Sequence, residues 1–365
     1  MHDILDYSIE DLKDYISKLN QNKFISTQIF DWIYKKKVFD FNKMTNLSNP
    51  IRQHFNENFK INLLNIKNKQ IHKDTTKYLF ELNDGNFIES VIMKHKYGIS
   101  ICVSSQIGCN MCCRFCESGR LKKIRNLTVG EMVNQILTAE NNIYERISSV
   151  VIMGIGEPFD NYNNVIKFIK IINDKNGLNI GARHITVSTS GIIKCIEKYS
   201  NENLQTNLAI SLHAPTDEIR DKIMPINKLY NVKSLISSIN DYIKKTNRKV
   251  GLEYLLLKNI NDSKKCAEDL INLVKGMNIY INLIEYNKTN NIEFESTSKE
   301  KIIEFYNILK NKNIDVSIRR KFGINIDGGC GQLSSHHLQD NTWKTYYNFQ
   351  HLNIKLSYSK LIDIE

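Results

Sequence analysis

The sequence predicts an α/β fold, a parallel sheet or barrel of strand–helix units, and three observations carry that expectation. Six short apolar, β-branched runs recur at residues 99–103, 149–153, 184–187, 208–212, 250–257 and 280–284, each of strand length. Helical-length segments separate most of them, such as 129–144, 165–174 and 234–245, and alternation of this kind folds into parallel sheets. The third observation is placement. Gly154-Ile-Gly-Glu157, Ser188-Thr-Ser-Gly191, Ser211-Leu-His213 and Asn287 fall at the ends of those runs, where α/β folds gather their chemistry.

Taken in chain order, residues 1–65 read as a small helical domain. Ile25, Ile29, Trp32 and Ile33 recur at i, i+4, i+7 and i+8, which makes one buried stripe. Residues 66–95 read as a β-hairpin extension, with 78–82 and 87–93 flanking the turn Asn83-Asp-Gly-Asn86. The core is expected over 96–333. The tail, 334–365, holds Trp343 and Tyr346-Tyr-Asn-Phe349 and reads as an amphipathic segment packed on the core.

Composition sets bounds. A chain of 365 residues with 41% hydrophobic content suits one large domain with a small accessory domain. No apolar run reaches membrane-spanning length, and Met1-His-Asp-Ile-Leu5 lacks the design of a signal peptide. The expectation is a cytoplasmic protein with no membrane partner. A net charge of +11 and a pI of 9.1 suit a polyanion. An AT-rich genome, favouring Asn, Ile and Lys, would raise the charge equally. Lys35-Lys-Lys37, Lys122-Lys-Ile-Arg125 and Arg319-Arg-Lys321 are candidate phosphate contacts.

Five of the eight cysteines lie between Cys102 and Cys116, four of them in Cys109-Asn-Met-Cys112-Cys113-Arg-Phe-Cys116. Thiols this close cannot all pair as disulfides without strain, but they can surround a metal centre. Spacing alone leaves two ligand sets, Cys109/Cys112/Cys116 and Cys109/Cys113/Cys116. Structural zinc prefers two separated pairs, and no second CxxC follows. A three-thiolate iron–sulfur cluster needs only one compact loop, and zinc stands as the rival.

The loop Cys109-x3-Cys113-x2-Cys116 resembles the radical S-adenosylmethionine (SAM) signature. More narrowly, the chain resembles the RlmN/Cfr family of RNA adenine methyltransferases from about residue 4 to residue 333. The matching stretches are Gln28-Ile-Phe-Asp-Trp-Ile33, Met44-Thr-Asn-Leu-Ser48, Cys102-Val-Ser-Ser-Gln-Ile-Gly-Cys109, Arg125-Asn-Leu-Thr128, Met153-Gly-Ile-Gly-Glu-Pro158, Val187-Ser-Thr-Ser-Gly191, Ser211-Leu-His-Ala-Pro215, Met224-Pro-Ile-Asn227 and Asp327-Gly-Gly-Cys-Gly-Gln-Leu333. The resemblance implies a partial (βα)6 radical SAM barrel and a [4Fe–4S] cluster held by Cys109, Cys113 and Cys116. It implies SAM bound through Gly156, Glu157, Ser188, Ser211, Leu212, His213 and Asn287. It also implies that Cys330 carries a methyl group, that Cys102 resolves the protein–RNA bond by forming a disulfide, and that Glu89 accepts a proton. The implied partners are 23S rRNA, tRNA and a flavodoxin-type electron donor, with the enzyme a monomer.

The resemblance also fixes the chemistry at issue and shows where this chain departs from the family pattern. Adenine C2 and C8 are electrophilic, so ordinary methyl transfer cannot alkylate them; a radical route, supplied by a cofactor, can. Glu89 shares a strand face with Phe87 and Val91, an expensive place for an unpaired carboxylate. Cys330 follows two glycines where the family usually has alanines, and Asn287 lacks the proline that often accompanies it. Gly156-Glu-Pro158 and Val250-Gly-Leu-Glu-Tyr254 look like the C2-methylating branch, whereas Arg319-Arg-Lys-Phe-Gly-Ile324 and Ile284-Glu-Tyr-Asn287 lean towards the C8-methylating one. C2 is the expected position, C8 the alternative. A zinc-bearing RNA-binding protein without catalysis is the reading from another class.

Overall fold

The computed structural model describes residues 1–287 and 293–319. Cys330, the tail from 334 to 365 and the remainder of Arg319-Arg-Lys321 lie outside them.

Ten strands form one mixed sheet whose spatial order is the chain order: β1 (Asn65–His72), β2 (Thr75–Glu81), β3 (Phe87–His95), β4 (Gly98–Cys102), β5 (Ser149–Ile152), β6 (Ile185–Thr189), β7 (Asn207–Ser211), β8 (Val250–Leu256), β9 (Ile279–Glu285) and β10 (Val316–Ile318). From β4 to β10 every neighbour pair is parallel. The two ends of the order do not pair, so the barrel is partial. All six expected strands are present. β10 adds a seventh parallel strand, and β1 turns the expected hairpin into a three-stranded antiparallel extension.

The crossovers begin where polar caps dictate. Helix α4 (Val129–Ile143) opens with a capping box, the Thr128 hydroxyl taking the Glu131 N–H and the Glu131 carboxylate the Thr128 N–H. It ends at Tyr144 in a left-handed conformation. Helix α5 (Tyr162–Asn173) links β5 to β6, and α6 (Ile193–Tyr199) links β6 to β7. Helices α7 (Asp217–Ile223) and α8 (Val232–Thr246) lead to β8; α9 (Lys264–Leu273) and α10 (Lys299–Asn311) complete the set. Asn231, Ser263 and Ser298 cap α8, α9 and α10 through side-chain oxygens. β8 is buried along its whole length, as a parallel strand covered on both faces must be.

Ahead of the sheet, α1 (Ile9–Lys18), α2 (Phe24–Phe30) and α3 (Asn49–Asn58) pack round Phe41, Phe55 and Phe59. The expected stripe is only half right. Ile29 and Ile33 are buried, Ile25 and Trp32 half-buried. A π-helical turn at Asp31–Lys35 follows α2 and departs from the 3.6-residue period, and Phe30 and Tyr34 share the interior. The helices dock on α4, where Asp6 Oδ1 takes the Gly130 N–H at 2.7 Å, favourable at a helix N-terminus. Lys37 pairs with Glu140 on the same helix. No helix among the described residues is long and apolar enough to cross a membrane.

Phe55 is fully buried against Phe41, Phe59 and Tyr15. Replacing it with Ala should lower unfolding stability by about 3–5 kcal/mol, measurable by urea denaturation.

Candidate active site

The site grows out of the way β4 ends. Val103 and Ser105 continue the chain by bonding to Val151 and Ile155 carbonyls. A short antiparallel pairing of Gln106–Ile107 with Arg125–Asn126 then ties off the loop that holds the cysteines. Gly108 turns into this loop with φ +73°, and a Cβ there would stand 2.2 Å from the Lys122 carbonyl oxygen, so glycine is required. Cys109 N–H bonds the Leu121 carbonyl, and Cys116 N–H the Cys113 carbonyl.

This wrapping turns Cys109, Cys113 and Cys116 into one cavity of about 380 Å³. Cys112 takes a left-handed backbone conformation, is exposed, and does not line the cavity. Of the two residues that spacing leaves open, Cys113 lines the cavity and Cys112 does not. Burial pushes all three thiols upward; Cys113 and Cys116 add to the shift at Cys109, and Cys116 adds to it at Cys113. Three such sulfurs become thiolates together only beside strong positive charge, which an iron cluster supplies. No three His, Cys, Asp or Glu side chains among the described residues converge tightly enough for a single metal ion. The residues present fit a cluster.

The opposite wall comes from the antiparallel extension. Glu89 on β3 and Lys77 on β2 face the cavity and form a fully buried ion pair at 3.0 Å. Cys102, at the end of β4, is registered opposite Val91 and faces the same space. Burial pushes its thiol up, and Arg319 opposes the shift. All seven described cysteines are free thiols; the disulfide implied for Cys102 involves Cys330, outside these residues.

The remaining predicted residues come from successive strand ends. Glu157 is buried; its Oε1 accepts from Phe159 N–H at 3.0 Å and its Oε2 from Ser190 N–H at 2.7 Å. Burial pushes this carboxyl up, against those bonds, and a carboxylate has lone pairs to spare for a cationic ligand. Gly156 has φ +112°, and a Cβ there would lie 2.6 Å from Gln106 Cβ, so the loop's own packing demands glycine. Ser188, Ser211, His213 and Asn287 all line the cavity. Leu212 does not: its side chain is in the core, which leaves only its backbone for contact.

His213 Nδ1 accepts from Leu255 N–H at 3.0 Å. Burial, helped by the charge of Arg220, pushes the imidazole down to about 3. The ring is therefore neutral at physiological pH and offers Nε2–H as a donor. Phe115 from the cysteine loop packs edge-on against it at 4.9 Å. Arg220 is fully buried, and its guanidinium donates to the carbonyls of Ser190, Ser211, Leu212 and Tyr230 and to Asn227 Oδ1. It holds the loops after β6 and β7 in place.

Sequence reasoning missed Lys77, Arg220 and Glu253. Glu253 was detectable, being a carboxylate inside an apolar run. The candidate phosphate contacts are partly committed internally: Arg125 clamps Asp84 and Glu131, Lys123 meets Asp160, and Lys35 and Lys36 meet Asp31.

Residues 103–274 match the family model of the Radical SAM superfamily, and residues 2–61 match that of the ribosomal RNA large subunit methyltransferase N-terminal domain. The fold and the cysteine-lined mouth thus define a radical SAM methyltransferase. A crystal structure of a radical SAM methyltransferase from Sphaerobacter thermophilus superposes with a TM-score of 0.86 at 34% identity, covering 91% of this chain and 99% of that one. A relative from Clostridium novyi, named a probable dual-specificity RNA methyltransferase RlmN, is 47% identical over 343 residues, covering 93% of this chain and all of the relative. One of the same name from Listeria welshimeri is 48% identical over 337 residues, covering 90% of this chain and 92% of the relative. The chain belongs to the RlmN family of radical SAM RNA methyltransferases. Its cofactors are accordingly a [4Fe–4S] cluster and SAM, and the zinc alternative is overturned.

Two outcomes follow from the geometry. Cys112→Ala should retain the iron content of the anaerobically purified protein, whereas Cys113→Ala should lose it, as read by iron and sulfide assay. Lys77→Met, which leaves Glu89 buried beside an apolar group, should lower stability by about 3–5 kcal/mol in urea unfolding.

Proposed function

We propose that the enzyme methylates C2 of an adenine in 23S rRNA and of an adenine beside the anticodon in tRNA. The observation that carries the reading is the convergence in one cavity of Cys109, Cys113 and Cys116 with Cys102 and the Lys77–Glu89 pair. Support for dual specificity comes from the relatives' names. In this reading residues 1–65 position RNA, 66–95 supply the base-facing wall, and 96–333 form the catalytic core; a flavodoxin-type protein supplies electrons to a monomeric, cytoplasmic enzyme.

Cys109, Cys113 and Cys116 would hold the cluster. Gly156, Glu157, Ser188, Ser211, the Leu212 backbone, His213 and Asn287 would hold SAM. Together these cofactors supply a methyl group and a one-electron route to carbon-centred radical chemistry. Cys330 would carry the methyl group, and its bond to the base is the link that Cys102 must break by pairing with it. The ring carbon that gains a methyl must lose a proton, and Glu89 stands on the base-facing wall to accept it. Lys77 fixes that carboxylate in place. The target base must be presented at the mouth, out of its stack.

The test is nucleoside mass mapping of 23S rRNA and tRNA after reaction with the holoenzyme. The expected product is 2-methyladenosine in both RNAs; 8-methyladenosine would overturn the C2 assignment, and unmodified tRNA the dual specificity. With Cys102→Ala, protein covalently joined to RNA through Cys330 should accumulate. Normal turnover of that variant would remove Cys102 from the mechanism.

A further inference from the structure

We propose that Glu253 recognises the ribose of SAM, its Oε2 accepting a hydrogen bond from a ribose hydroxyl; this rests on reading the cavity as the SAM site. Glu253 sits mid-way along β8, among apolar neighbours that are all buried, and a carboxylate there is costly unless compensated. Half of it is compensated. Oε1 accepts from Asn282 Nδ2 at 3.0 Å, and the Ser317 hydroxyl fixes Asn282 by donating to its Oδ1 at 2.6 Å. Oε2 is buried and has no hydrogen-bond partner among the described residues. Arg319 reaches Glu253 through its field, while its Nη1 lies 3.7 Å from Met153 Sδ.

The side chain lines the cavity, and sheet register says over which part. Ser211 on β7 and Asn282 on β9 are the direct partners of Glu253, and registered residues present their side chains to one face. Ser211 and Glu253 therefore form one polar shelf, beside His213 and on the SAM half of the mouth. The base-facing wall, with Lys77, Glu89 and Cys102, is built from other strands.

A buried carboxylate oxygen calls for an N–H or O–H donor. SAM offers its ammonium, the adenine amino group and two ribose hydroxyls. Glu157 is the expected partner of the ammonium. The adenine amino group is flanked by ring nitrogens N1 and N7, acceptors that would face and repel the same carboxylate. The ribose diol carries no such conflict, and a carboxylate on a ribose hydroxyl is a recurrent solution in nucleotide sites.

The experiment is anaerobic calorimetric titration of the cluster-loaded enzyme with SAM and with its 2′-deoxy and 3′-deoxy analogues. Wild-type enzyme should bind at least one analogue about 10- to 100-fold more weakly than SAM. Glu253→Gln should weaken SAM by a similar factor and should lose most of its discrimination against that analogue. Equal binding of SAM and both analogues by the wild-type enzyme would overturn the inference, whether or not the variant folds. So would a variant that keeps wild-type discrimination. Absence of SAM binding by the wild-type holoenzyme would overturn the reading of the cavity, and this inference with it.

Discussion

Strand β4 pairs antiparallel with β3 on one side and parallel with β5 on the other, and the site depends on that double pairing. A parallel neighbour sends the chain from Cys102 over the mouth and into the cysteine loop. The antiparallel neighbour brings Glu89 back to the same mouth from the opposite direction. Ser104, just past β4, locks the junction. Its hydroxyl donates to the Glu89 carbonyl and accepts from Ile155 N–H. The Gln135 side chain of α4 bonds both Ser104 and Ser90. All these groups are buried, so each bond also satisfies a group that would otherwise be left unpaired.

Charge is managed differently on the two walls. On the antiparallel side Glu89 is matched within the protein by Lys77. On the parallel side Glu157 relies on backbone N–H groups, and Arg220 is dispersed over five oxygens. Acceptors directed at backbone dipoles rather than at counter-charges keep capacity for a charged ligand.

The N-terminal helices are part of the same packed body. Ile4 and Leu5 are buried in the apolar cluster that continues through α4 into the sheet, and Asp6 closes on the start of α4. Burial also pushes the Asp3 carboxyl up to about 6. Helix α4, whose Gln135 bonds the junction behind the mouth, is thus held by the N-terminal segment at its first turn through Asp6 and further along through the Lys37–Glu140 pair.

The sequence by itself determined what depends on near neighbours. Strand runs, caps such as Thr128 and Asn231, and the cysteine spacing are local patterns, and the six parallel strands and their crossovers were legible from them. So was the gathering of Glu157, Ser188, Ser211 and His213, because parallel strands share one carboxyl end. Tertiary structure decided what depends on pairing across the sheet. In the loop that β4 leads into, Cys113 lines the cavity while Cys112, with a left-handed backbone, is exposed. Lys77 meets Glu89 because β2 and β3 are registered so that Leu79 lies opposite Glu89, a relation no single strand reveals. Arg220 joins loops from two strands, and β1 joins the sheet although its residues are mostly exposed and carry little apolar signal. Periodicity records which face a residue takes; only the sheet order decides whom it meets there.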